Sequence, residues 1–182
     1  MDMTSSEHES KLAFEMRAPT MDDVQAIRRM HAQAWLDTYP NDELGVSYDW
    51  VKERTDSWLT PEGLQKSRDH FSNVFDNPDH FHRVAVDDDK IVGLVHGLVQ
   101  DGHKHLGALY LDKKYHGSGL AYKLMDQVNE WFGNDEVDLE VVTYNHRAIA
   151  FYEKYGFQAT GKENELFGGK MPNTTMTRKG KK

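Results

Sequence analysis

Apolar and polar positions alternate along this chain in two rhythms, and the points where one gives way to the other mark its elements. After a polar opening (MDMTSSEHES), Leu12–Ala18 reads as a short strand. Val24, Ile27, Met30, Ala34 and Trp35 then follow the spacing of one helical face. Thr20 precedes them with Asp23 three residues later, in the manner of a capping box, and Pro40-Asn41 ends the run. Asp49–Leu59 predicts a second helix, and Pro61-Glu62-Gly63 opens a third that reaches about Phe75. The period then shortens to two. Phe81–Val86 and Ile91–Val99 read as strands joined by a turn at Asp87–Lys90, and Leu106–Leu111 as another. Gly119–Phe132 returns to helical spacing, burying Leu120, Leu124, Val128 and Trp131. Val137–Thr143 predicts a strand, and Asn145–Tyr155 a helix stopped by Gly156. Gln158–Lys162 and Thr174–Arg178 finish the chain as short strands.

The strand–helix–strand unit from Leu106 to Thr143 requires a parallel pair joined by a right-handed crossover. The expected fold is therefore mixed α/β, a sheet between helical layers, in an order nearer to α+β than to strict alternation. The 182 residues fit one domain with a full core. That domain is expected over residues 12–178, with residues 1–11 a disordered tail and 179–182 a frayed basic end.

Composition removes several function classes. A net charge of −8 without a basic stripe argues against a nucleic-acid partner and suits a cationic, amine-bearing substrate. The absence of cysteine excludes disulfides, thiolate catalysis and Cys-ligated zinc. The N-terminus has no apolar signal core, and no apolar run reaches spanning length, so no membrane partner is expected and the cytoplasm is the default location. The sequence leaves oligomeric state, including a homodimer, open.

The chemistry concentrates in Leu109–Met125, LYLDKKYHGSGLAYKLM. A strand ends in a turn bearing Gly117 and Gly119, and a helix follows at once. Glycine lets backbone N–H groups approach a ligand, and the helix N-terminus adds free donors and a positive dipole end, which suits a phosphate or pyrophosphate. The nucleotide-binding alternatives are weak, since neither GxGxxG nor GxxxxGK[ST] is present.

Two motifs together resemble the GCN5-related N-acetyltransferase superfamily. One is His116-Gly117-Ser118-Gly119-Leu120-Ala121, similar to the family's Gln/Arg-x-x-Gly-x-Gly/Ala, with His116 in place of the usual Gln or Arg. The other is Leu139-Glu140-Val141, Asn145, Ala148, Phe151-Tyr152 and Gly156-Phe157. The resemblance covers residues 81–160 and implies a mostly antiparallel sheet with a splayed parallel pair. It implies acetyl-CoA as co-substrate, held by Leu109, Tyr110 and Leu111 along its pantetheine arm and by His116, Gly117, Ser118, Gly119, Leu120, Ala121 and Tyr122 at its pyrophosphate. Asn145, a good N-cap, gains a pantetheine contact in the family reading.

The resemblance also assigns Tyr152 as the general acid that reprotonates the CoA thiolate, with Tyr155 as the alternative phenol. Glu140 alternates with Leu139 and Val141 and is the candidate base for the amine. The acceptor, a small-molecule amine or a peptide N-terminus, is expected under the first two helices, at Trp35 to about Trp58. Tyr39, at the helix end, is read there as an exposed contact and Trp35 as a second contact or a core anchor. A non-catalytic acyl-CoA-binding sensor is the rival reading. Of ten histidines, His80-x-His82 and His103-x-His105 have period-two spacing, but with no further ligand in sight they read as scattered surface residues and no metal is expected.

Overall fold

The computed structural model describes residues 14–180. The expected tail at 1–11, the first residues of the Leu12–Ala18 strand and the last two lysines lie outside the described residues. The elements in chain order are β1 (Glu15–Arg17), α1 (Val24–Thr38), α2 (Tyr48–Ser57), α3 (Pro61–Val74), β2 (His80–Asp87), β3 (Lys90–Gln100), β4 (His103–Leu111), α4 (Leu120–Phe132), β5 (Val137–Val142), α5 (His146–Lys154), β6 (Gln158–Glu163) and β7 (Asn173–Arg178).

Local chemistry fixes the boundaries. The Thr20 N–H donates to Asp23 Oδ2 at 2.7 Å, and Arg17 grips the same carboxylate through both terminal nitrogens at 2.7 and 2.8 Å. That grip, from Arg17 first, holds the Asp23 carboxyl down to about 2 and ties β1 to the start of α1. Ser47 and Thr60 hydroxyls accept from the N–H groups of Trp50 and Gly63, capping α2 and α3. Asp88 and Asp89 both take left-handed backbone, which gives the two-residue β2–β3 turn the twist a hairpin favours.

The seven strands form one sheet in the order β1-β2-β3-β4-β5-β7-β6, with β4 and β5 the parallel pair and every other neighbour antiparallel. One face packs under α4 and α5, with Leu120, Leu124, Met125, Val128 and Phe132 fully buried against Val95, Leu106 and Leu139. The other face carries α1 and α3 over Val84, Ile91 and Leu94, and an aromatic block beside α2. The expected burial of Trp131 is corrected. It is half-buried on the rim, stacked on Phe81, while Met125 and Phe132 take the central positions.

Two bulges set which side chains share a face. Between β2 and β3 the register shifts at Ala85/Val86, and between β3 and β4 at His96/Gly97, where Gly107 is the extra residue of β4. At Gly97 a Cβ would lie 2.8 Å from Val128 Cγ2 and 3.1 Å from the Phe132 ring, so this glycine is required for α4 to approach the sheet. Gly97→Ala is expected to destabilise the fold by about 1–3 kcal/mol through overpacking. Urea unfolding should show a lower midpoint at unchanged slope, and an unchanged midpoint would mean that α4 shifts at no cost.

Candidate active site

The parallel pairing of β4 with β5 covers only Lys104↔Val137, His105↔Asp138 and Leu106↔Leu139. Beyond it the strands diverge, although β4 continues to Leu111 and β5 to Val142. A cleft of about 520 Å³ opens between them. Leu106–Leu111 form one wall and Leu139–Val142 the other, with α5 and the α4 N-terminus closing one end. Backbone groups on the facing edges have no strand partner there, so an extended, amide-bearing chain can lie between them as a pseudo-strand.

At the α4 end, Gly117 and Gly119 both adopt left-handed backbone, at φ +80° and +86°. A Cβ at either position would meet open space. These glycines are demanded by conformation, and the loop they shape leaves the first N–H groups of α4 facing the cleft without intrahelical acceptors. Ser118 is used within the loop, its hydroxyl donating to the Tyr115 carbonyl at 2.7 Å. His116, Gly117, Gly119, Ala121 and Tyr122 line the cleft; Leu120 points into the core and is fully buried.

Arg147 is a cleft residue that sequence reasoning missed. It leaves the first turn of α5, and its Nη1 donates to His116 Nδ1 at 2.6 Å. Burial, then Arg147, lowers the His116 pKa, so its ring is neutral and accepts. Lys154, at the other end of α5, also borders the cleft. The departure at His116 therefore brings a guanidinium to the loop, where an anion gains most from it. The signal lay in the spacing of Arg147 from Asn145, which puts it on the first turn of a helix facing the loop.

Asn145 performs its capping role, accepting from the Ala148 N–H at 3.2 Å, and also borders the cleft. Tyr152 lines the cleft with 9% of its surface exposed. Burial first, then Tyr110, pushes its phenol above the usual range, so it is protonated at neutral pH. Tyr155 is elsewhere: its hydroxyl donates to Asp126 at 2.8 Å on the outer side of α4. Glu140 is exposed on β5 and borders both the cleft and a second groove, lined by Glu163, Asn164, Glu165, Leu166 and Phe167.

The expected exposure of Tyr39 is corrected. Only 8% of it is exposed. Its hydroxyl lies 3.2 Å from that of Tyr110 on β4, and its carbonyl accepts from the Tyr144 hydroxyl at 2.9 Å. Pro40 ends α1, but the chain turns inward, and Tyr39 becomes part of the cleft floor. Trp35 is a core anchor. Its indole N–H donates to His31 at 2.9 Å, and its ring meets those of Tyr39, Trp58 and Phe167 edge-on or tilted. The exposed apolar groups of this side are Leu44 and Tyr48, with Leu166 and Phe167 from the β6–β7 connection. The histidine expectation also changes. His103 is exposed, but His80 and His82 are drawn together with His96 on the α3 face of the sheet.

Comparison with known proteins agrees with this geometry. The family model described as Acetyltransferase (GNAT) family matches residues 25–157. N-alpha-acetyltransferase 30 of Schizosaccharomyces pombe is 35% identical over 86 residues, 42% of this chain and 57% of that protein. The chain thus spans little more than half the length of this curated relative. The fold is similar to that of PaiA N-acetyltransferase from Thermoplasma acidophilum in complex with coenzyme A, at 20% identity and TM-score 0.66 over 92% of this chain and 99% of that one. It is similar again to a GNAT-family acetyltransferase from Streptococcus pneumoniae, at 18% identity and TM-score 0.69 over 91% and 98%.

A carboxylate placed over the loop tests the anion site directly. Gly119→Asp combines a strained left-handed residue with a negative charge at the helix N-terminus. CoA affinity by calorimetry should fall at least tenfold, about 1.4 kcal/mol, and unchanged binding by a folded variant would remove the loop from the site.

Proposed function

The chain belongs to the acetyltransferase (GNAT) family, and we propose that it transfers an acetyl group from acetyl-CoA to a primary amine by direct attack in a ternary complex. The observation that carries this reading is the parting of β4 from β5 with a glycine-shaped helix N-terminus at its end. The residues present fit the co-substrate. The loop N–H groups of Gly117, Gly119 and Ala121, with Arg147 beside them, hold the pyrophosphate. The free strand edges at Leu109–Leu111 take the pantetheine amides, with Asn145 across from them.

The acceptor reaches the thioester from the other side of β5. Glu140 is the group common to the cleft and the second groove. There it takes a proton from the incoming ammonium, directly or through water, leaving the amine lone pair free. The amine nitrogen forms its bond to the acetyl carbon, a backbone N–H of the splayed strand steadies the oxyanion, and the C–S bond breaks. Tyr152, kept protonated by burial, gives its proton to the thiolate, and the second proton lost by the acylated nitrogen passes through water to restore the phenol. Glu163 and Glu165, with the apolar tips of Leu166 and Phe167, give the acceptor groove a character suited to an ammonium group followed by an apolar side chain. This supports a peptide N-terminus or a small amine as the acceptor class, as does the N-alpha-acetyltransferase likeness. Tyr39 holds the floor beneath this approach, and Trp35 braces Phe167 from behind. We place the reaction in the cytoplasm.

The test is incubation of acetyl-CoA with short peptides and polyamines, read as product mass and released thiol. Tyr152→Phe is expected to lower kcat by about 10²-fold or more with the acetyl-CoA KM little changed, because a general acid acts in the transition state. Full activity in that variant would give the proton to water. Glu140→Gln should flatten the rise of rate with pH, whereas an unaltered profile would leave the amine to be deprotonated in solution. Binding of CoA without turnover on any amine would favour the sensor reading.

A further inference from the structure

His80 and His82 lie two residues apart on β2 and share a face, and His96 on β3 is directly opposite His82. One nitrogen from each of the three rings lies within 4.8 Å of the other two. His80 Nδ1 and His96 Nε2 are 3.0 Å apart. The His82 and His96 rings are parallel to within 7° at 4.2 Å between centroids. None of the three lines the acyl-transfer cleft.

Packing alone leaves this cluster incomplete. His82 Nε2 is buried with no hydrogen-bond partner among the described residues, and a buried ring nitrogen without a partner is a cost the fold ordinarily avoids. A neutral imidazole, the form that binds a metal ion, offers one ring-nitrogen lone pair. Phe75 stands edge-on to His82 at 5.1 Å, so one side of the cluster is apolar and dry. Gly107 makes room on another, since a Cβ there would lie 3.0 Å from His96 Nδ1.

We propose that His80, His82 and His96 form a binding site for a divalent cation of the zinc class, each supplying one imidazole nitrogen, with the fourth position left to water. Neutral nitrogen donors select zinc, copper or nickel over magnesium and calcium, which require oxygen. Nitrogens bonded to a tetrahedral zinc at about 2.0–2.1 Å stand about 3.3–3.4 Å from one another. The pair at 3.0 Å, which shares a hydrogen bond in the absence of an ion, is close to that spacing already, and the third ring nitrogen lies within 4.8 Å of both. The site staples β2 to β3 beside the Gly107 bulge. Its role is structural, and it is independent of the acetyl-transfer reading.

The experiment uses the full chain without a polyhistidine tag, stripped by chelator and titrated with zinc against a chromophoric competitor. One equivalent is expected to bind with Kd about 1 μM or tighter, raising the thermal midpoint; cobalt(II) in its place should show the intense visible bands of a tetrahedral site. His82→Phe keeps a flat aromatic ring, slightly larger than the imidazole, and removes a ligand. It is expected to fold and bind CoA, while zinc affinity falls at least tenfold and both the thermal shift and the cobalt bands are lost. His80→Asn, at the less buried end, gives a second reading if His82→Phe does not fold. No uptake by the parent chain below about 100 μM zinc overturns the site. So does parent-like binding by a folded variant, which would place the cation on other histidines.

Discussion

Parallel strands bond along their shared length unless they are led apart, and in this chain Tyr39 bridges the two strand ends where they have parted. Tyr39 reaches Tyr110 near the end of β4 through its hydroxyl and Tyr144 just beyond β5 through its carbonyl. It thus ties the open ends of both strands to the end of α1. His31 meets Tyr110 at a tilt, with 4.3 Å between ring centroids, and Trp35 stands edge-on to Tyr39, so Tyr39 is itself held by a buried aromatic block. The bulge at Gly107 begins the departure, since it breaks the β4 register one residue beyond the last paired position. Backbone donors and acceptors on the separated edges then need partners other than each other. A cleft built this way is preorganised for an amide-bearing ligand, because the protein has already borne the cost of leaving its own strands apart.

Charge is arranged locally against the balance of the whole chain. With a net charge of −8, the molecule as a whole repels an anion. At one end of the cleft, the α4 N-terminus, Arg147 and Lys154 create a short-range positive region. Salt screens the distant carboxylates within about 8–10 Å, while groups in direct contact with a phosphate keep most of their effect. On the opposite side of β5, Glu140, Glu163 and Glu165 outnumber Lys162 and present the reverse sign. In the proposed reaction, the two approaches to the same strand would sort an anionic donor from a cationic acceptor.

What the sequence made legible was local. Each strand and helix followed from its period and caps to within a few residues, and the loop from the glycine spacing at 117 and 119. The parallel pair followed from a single crossover. What it concealed depended on register and on contacts far apart in the chain. Tyr39 looks like a helix-end residue beside a proline, and only its partners at 110 and 144 show that it faces inward. The histidine cluster turns on one extra residue. With a regular β2–β3 hairpin, His96 would oppose Phe81 and point to the α4 face. The register shift at Ala85/Val86 moves it opposite His82 instead. Trp131 lost its core place for a related reason, because Leu120, Leu124, Val128 and Phe132 are the α4 side chains that lie over Gly93 and Gly97.

The two groups proposed to handle protons differ in environment. Tyr152 is buried in the wall of α5, where the charged phenolate is disfavoured and the phenol stays protonated. Glu140 stands exposed on the neighbouring strand, its side chain set opposite Leu139 and Val141 by the pleat. One cleft thereby has a buried phenol on one side and an exposed glutamate side chain on the other, the separation that the proposed acid–base pair needs. With no cysteine in the chain, a thiol acyl-enzyme is ruled out, and donor and acceptor can meet directly. The proposed reaction requires both to be bound at once, from directions that do not collide. It would use the cleft on one side of β5 and the second groove on the other, both of which Glu140 borders.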